Sequence, residues 1–178
     1  MYIGEVDNII KRLAEGFEEA CLRCLQDNSS QLPMLIREQL WSGVDGNGEY
    51  LSPNYDNDPF FSQRYWYHTM DDVLYEGSSG YKAWKLKITP PERGDILGLP
   101  ARPENIPNLF IDGTFHASIK SRTVTGGVEI FTDSRSGGDI VGKYGSQIFN
   151  LTEEAVVWFN ESFMRPAIAA FFNNCGYR

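Results

Sequence analysis

The chain of 178 residues sets 16 Lys and Arg against 24 Asp and Glu, giving a net charge of −8 and a pI near 4.8. That balance excludes a protein that binds nucleic acid or anionic membrane through its overall charge. With 42% hydrophobic and 13% aromatic residues the chain is too apolar to be disordered, yet no apolar run approaches the length of a membrane span.

From Ile3 to Leu25 apolar residues recur at 3, 6, 9, 10, 13, 17, 20, 21, 24 and 25, which predicts a long helix closed by Asp27-Asn28-Ser29-Ser30. The opening MYIGEVDNIIKRLAEGF lacks the blocks of an export signal, so synthesis in the cytosol is expected. The Asn-x-Ser/Thr triplets at Asn28, Asn150 and Asn160 are accordingly not read as glycosylation sites. Three cysteines, an odd number, argue against a disulfide framework. Cys21 and Cys24 form a C-x-x-C inside the helical stripe, and with no second pair to complete a zinc site they read as buried thiols. A second helix is predicted from Pro33, a residue favoured at the first helical position, through Leu35, Ile36, Gln39 and Leu40 to Trp41.

In WSGVDGNGEYLSPNYDNDPFF, Asp45, Asn47 and Glu49 alternate as calcium-loop ligands do. The sixth place of such a loop requires Gly and holds Tyr50, so a tight turn between two short extended segments is the expectation. Residues 60 to 88 predict two helical pieces about a break at 76–80. From Thr89 to Pro107, prolines at 90, 91, 100, 103 and 107 exclude a helix or an inner strand. They predict a long excursion that reaches a neighbouring subunit.

Further on, SIKSRTVTGGVEIFTDS alternates about Gly126-Gly127 and predicts a hairpin. The glycines of SRSGGDIVGKYGSQIF do not fit a phosphate loop, because Lys143 is followed by Tyr144. Thr152, with Glu153 and Glu154 after it, reads as a helix start, and Pro166 as the first turn of a last helix whose Ala167, Ala170 and Phe171 form one stripe. Without repeats or an evident boundary, one domain is expected over 1–178: a helical part at 1–40, a hairpin and loop-rich insertion at 41–107, and a core at 108–178. The class is α+β, with a long N-terminal helix and C-terminal helices packed on a small antiparallel sheet.

FIDGTFHASI places Asp112, His116 and Ser118 close together. On a helix, His116 and Ser118 diverge by about 200°; in a strand, their Cβ atoms stand roughly 6 to 7 Å apart, an unusual geometry for activating a serine. Ile111, Phe115, Ser118 and Ile119 are instead expected on a core-facing stripe, with Asp112 capping the N–H of Thr114 or Phe115. His116 is then a surface or interface histidine, and Ser118 a small residue that lets the helix approach the sheet. His68, near Asp71 and Asp72, lacks the spacing of a metal motif. No catalytic, cofactor-binding or metal residue is predicted.

PNLFIDGTFHASIKSRTVTGGVEIFTDS, KYGSQIFNLTEEA and FNESFMRPAIAAFF together resemble, in order and spacing, the tailed-phage neck proteins of the head-tail joining and tail-completion family. The matching positions are Asp112, Gly113, Phe115, Ser118 and Ile119 at a helix start, Tyr144 and Gly145 in a loop, and Phe163, Arg165, Pro166 and Ala167 opening the last helix. Asp112 stands where the family usually has Thr, and residues 41–107 form a longer insertion than typical members carry. LWSGVDGNGEYLSPNYDNDPFF with YKAWKLKITPP is similar to what is expected in phages of gut Bacteroidetes, including the crAss-like group.

The resemblance implies a virion structural protein without enzymatic activity, made in the host cytoplasm and located in the virion neck. Its expected partners are its own copies in a six-fold or twelve-fold ring, the portal, and other neck or tail proteins. Genome DNA would pass through the channel without sequence-specific binding; no membrane and no cofactor are implied. An acidic lumen would repel the duplex, and the aromatics would serve subunit contacts. A small hydrolase using Asp112 or His68 with carboxylates, and an uncharacterised binding module, are the alternatives.

Overall fold

The long apolar repeat at the start forms α1 (Ile3–Asp27) in the computed structural model, which describes residues 3–60, 66–68, 73–75, 77–90 and 96–177. The helix stops at Asn28, whose side-chain amide donates to the Cys24 carbonyl at 2.9 Å and competes with further helical bonding. A single 3-10 turn, Ser29–Gln31, leads into α2 (Leu32–Trp41), with Pro33 in its first turn where the missing N–H has no partner to lose.

α2 is the hub of the packing. Its Ile36 and Leu40 join Leu51, Ile106, Phe115, Ile119, Tyr144 and Ile148 in one cluster, while Leu32 and Leu35 join Leu97, Ala155 and Phe159 in a second. Leu35, Ile36 and Leu40 are wholly buried, and burying each such side chain is worth roughly 1.5 to 3 kcal/mol.

Residues 66–68 and 73–75 correct one expectation. They form β1 (Trp66–His68) and β2 (Val73–Tyr75), antiparallel with Trp66 opposite Tyr75, where a helical piece was expected. WYH and VLY are short, aromatic and β-branched, which suits a pleated strand better than a helical turn. The expected break at 76–80 is in fact where α3 (Gly77–Ile88) begins, Gly77 taking a left-handed φ of 57°.

The excursion from 89 to 107 has no regular structure at 96–107, as its prolines require. Its described part is anchored to the core of its own chain. Leu97 and Ile106 enter the two core clusters, and the Asn105 carbonyl accepts the Tyr55 N–H at 2.9 Å. Apolar residues in a polar loop can be buried most locally against their own core. Residues 91–95 lie outside the described residues.

α4 (Thr114–Ser118) runs directly into β3 (Ile119–Val124), which pairs antiparallel with β4 (Gly127–Thr132) in register from Ile119 opposite Thr132 to Val124 opposite Gly127. The turn is Thr125-Gly126, one residue earlier than Gly126-Gly127, and Gly126 supplies the positive φ of 80° that a tight hairpin turn needs. α2 packs on β3 and α1 on β4. The chain is therefore α+β, with helices on a small antiparallel sheet.

α5 (Gly137–Tyr144) and a 3-10 turn (Ser146–Phe149) precede α6 (Glu153–Phe159). Thr152 Oγ1 accepts the Ala155 N–H at 3.3 Å at the buried start of α6. Thr152→Ala is expected to lower stability by about 1 kcal/mol in urea denaturation. α6 does not end before Pro166. It continues through a π-helical segment, Asn160–Met164, into α7 (Arg165–Cys175), because a wider turn absorbs the hydrogen bond that the proline cannot make.

Candidate functional site

The three residues of FIDGTFHASI go to three separate tasks. Asp112 Oδ1 accepts the Thr114 N–H at 2.9 Å. Hydrogen bonds from the Thr114 backbone and hydroxyl hold its carboxyl below the usual carboxylate range. Gly113, at φ 86°, is the residue from which α4 starts, one position later than a cap at Asp112. Ser118 Oγ donates to the Phe115 carbonyl at 2.6 Å and meets Thr132 Oγ1 at 2.6 Å, pinning α4 to β4.

His116 is buried, which corrects the expectation of a surface or interface histidine. A helix of five residues has no sustained outward face, and the ring is drawn in by Trp41 at 4.7 Å and Phe110 at 5.9 Å between centroids. Its Nε2 lies 2.8 Å from the Asn108 carbonyl oxygen. Ile111 departs from the expected stripe and is 51% exposed, whereas Phe115 and Ile119 are in the core.

The other sequence candidates are placed as follows. Asp45 Oδ1 accepts the N–H groups of Asn47 and Glu49 at 2.8 and 3.2 Å, closing a tight turn under the bridge between Val44 and Tyr50. Cys24 and Cys175 are buried and Cys21 half-buried; all three are free, and burial pushes the Cys24 thiol up. His68 contributes its backbone to β1, while its side chain, Asp71 and Asp72 lie outside the described residues.

A site absent from the sequence expectations stands beside His116. Leu109 adopts a left-handed φ of 54°, a conformation that costs an L-residue roughly 1 to 2 kcal/mol. The reversal turns the carbonyl groups on either side of Leu109 to different partners: Asn108 toward His116 Nε2, and Phe110 toward the Lys85 ammonium, which donates to it. The Asn108 side chain, wholly buried, fixes the bend by accepting the Phe110 N–H at 3.2 Å.

Next to this bend lies a cavity of about 270 Å³, walled by Tyr55, Tyr81, Phe110, Ile140 and Tyr144 and including Lys85 and Lys143. Tyr81, Trp84 and Lys85 occupy one face of α3, and Tyr81 packs edge-on against Tyr55 and Trp84 at 5.0 and 5.2 Å. Lys85 is only 2% exposed. Burial, and to a lesser degree the Arg102 guanidinium nearby, pull its ammonium down to about 7. Burial also pushes the Tyr55, Tyr81 and Tyr144 hydroxyls above the ordinary phenol range. Lys143 is paired with buried Asp58 and sits 5.4 and 5.9 Å from the ring centroids of Tyr144 and Phe60.

This arrangement offers an apolar enclosure with one buried amine donor. In YKAWKLKI the signal is the spacing: of Lys82, Lys85 and Lys87, only Lys85 stands four residues after Tyr81 and one after Trp84, on the stripe those rings bury.

A second unassigned feature lies on the outside. Val6, Ile10 and Phe17 of α1 are 39, 58 and 40% exposed and fall at helical spacing on one side, and Val156 and Val157 of α6 are 42 and 52% exposed. Among the described residues no helix is long and apolar enough to cross a membrane. Comparison of the chain with family models, curated proteins and solved structures gives no match.

Proposed function

We propose that the chain is a virion structural protein: a ring-forming neck or connector subunit that joins the portal to the tail of a tailed bacteriophage and surrounds the DNA channel. The observation that carries this reading is the uncovered apolar side of α1. Val6 and Ile10 lie at i and i+4, 39 and 58% exposed, and extend the side on which Phe17 already meets α7; a subunit held by identical neighbours covers such a face on assembly. The net charge of −8 suits a wall that repels DNA. The portal and other neck or tail proteins are the remaining partners, and the role requires no catalysis.

The test is light scattering and electron microscopy of the purified protein, alone and mixed with the portal. Closed rings are expected in one or both samples; a monodisperse monomer in both would sink the reading. Ile10→Glu, at a 58% exposed position, is expected to leave the circular dichroism spectrum and the urea midpoint unchanged while abolishing the rings. His116→Ala has no value as an assembly test, because this histidine is part of the core.

A further inference from the structure

We propose that the cavity beside Lys85 is a binding site for a small monocarboxylate with a flat or short apolar body. The inference does not rest on the ring reading.

The first support is the unused bonding capacity of Lys85. Among the described residues, the Phe110 carbonyl is the one acceptor its amine meets. An ammonium carries three donors, and burial at 2% exposure denies it the solvent that would satisfy the others. An oxygen ligand in the adjoining cavity supplies what the protein does not.

The second support is charge. The groups around Lys85 are the tyrosines Tyr55, Tyr81 and Tyr144, all kept neutral by burial, and the cation Arg102, whose field disfavours a second positive charge. Asp58 is committed to Lys143, and Asp139, which also lines the cavity, is exposed to water. Among the described residues no carboxylate compensates Lys85, so a ligand anion enters a region of positive potential. A divalent cation is repelled by the same field. A phosphate dianion carries more charge than the Lys85 amine offsets, and it would meet the Asp139 carboxylate on the same lining, where Lys143 is already paired with Asp58.

The third support is shape. A volume of about 270 Å³ bounded by aromatic rings takes a single ring or a chain of a few methylenes. The strained φ of 54° at Leu109 holds the Phe110 carbonyl on the amine, so the donor is oriented before any ligand arrives.

Calorimetric titration of the full chain with phenylacetate, benzoate and hexanoate, and with the neutral phenylacetamide, tests the proposal. At pH 6.5 at least one of the acids is expected to bind saturably, and phenylacetamide at least about ten-fold more weakly than phenylacetate. Binding of the acid raises the protonated fraction of Lys85. Its affinity is therefore expected to fall above pH 7, by up to about ten-fold per pH unit, as the free amine loses its proton. Lys85→Met should abolish acid binding while the circular dichroism spectrum is retained. Absence of saturable binding by all three acids at about 10 mM overturns the proposal. So do equal affinities for acid and amide, a flat profile from pH 6.5 to 9, or acid binding that survives Lys85→Met. Should that variant fail to fold, the acid-to-amide ratio and the pH profile of the unaltered protein decide alone.

Discussion

Between pH 7 and pH 10 the folded state is expected to gain about 3 kcal/mol of stability from the deprotonation of Lys85. In the unfolded chain this lysine keeps its proton up to its ordinary value of 10.5, whereas in the fold it releases it at about 7. Within that window the unfolded state binds the extra proton, so stability rises with pH; below pH 7 both states are protonated and the full desolvation cost of the ammonium applies. Each unit of difference corresponds to about 1.4 kcal/mol. The buried thiol of Cys24 and the hydroxyls of Tyr55, Tyr81 and Tyr144 act in the opposite sense. Their folded values are raised, so stability is lost as pH climbs past the ordinary 9 and 10 of these groups. A maximum near pH 9 to 10 follows. Urea denaturation at intervals from pH 6 to 11 checks it, and Lys85→Met is expected to flatten the rise and to be about 2 kcal/mol more stable than the natural chain at pH 6. A protein whose midpoint is level from pH 7 to 10 would show that water reaches the Lys85 ammonium.

Gln39→Leu is expected to cost about 2 to 3 kcal/mol, although the two side chains are close in size. Gln39 is wholly buried in α2; its amide donates to the Asn150 carbonyl at 2.6 Å and accepts the Thr152 N–H at 3.2 Å. These bonds hold the segment leading into α6 against the hub helix. Gly46 reinforces the junction from the other side, its N–H bonded to the Gln147 carbonyl at 3.0 Å, and a Cβ there would lie 2.3 Å from that of Asn150. Leucine keeps the volume but strands the two backbone groups, and a buried group without its partner costs roughly 1 to 3 kcal/mol. Equilibrium urea denaturation measures the loss directly; a cost below about 0.5 kcal/mol would mean that solvent replaces the amide.

Elements with strong local patterning are legible in the amino-acid sequence alone. The apolar repeat of α1, Pro33 at the start of α2, the alternation on both sides of Gly126 and the Thr152 cap each express a local preference that tertiary packing only reinforces. Where packing decides, local patterning misleads. His116 reads as external when its neighbours in sequence are weighed alone, yet Trp41 and Phe110 arrive from 75 positions upstream and 6 upstream and bury it. WYH and VLY are too short for periodicity to separate strand from helix. The Lys85 cavity is hidden for a related reason: its walls come from segments as distant as Tyr55 and Tyr144, and only the position of a charged residue on an aromatic stripe hints at it.

The π-helical segment Asn160–Met164 changes the phase of a helix that serves two partners. Ahead of it, Ala155 and Phe159 sit in the cluster around Leu32 and Leu35; beyond it, Phe171 and Phe172 meet Phe17 of α1 at 6.2 and 6.1 Å. One residue of helix amounts to about 100° of rotation. A π turn holds one residue more than an α turn and absorbs that rotation, so loss of a single residue between 160 and 164 is expected to return the stretch to regular α-helix, with Ala155 and Phe159 on one side of it and Phe171 and Phe172 on the other still facing their present partners. The stretch is held by its side chains and not by its length: Phe163 and Met164 pack against the cluster that Phe159 enters, and Glu161 pairs with Arg165.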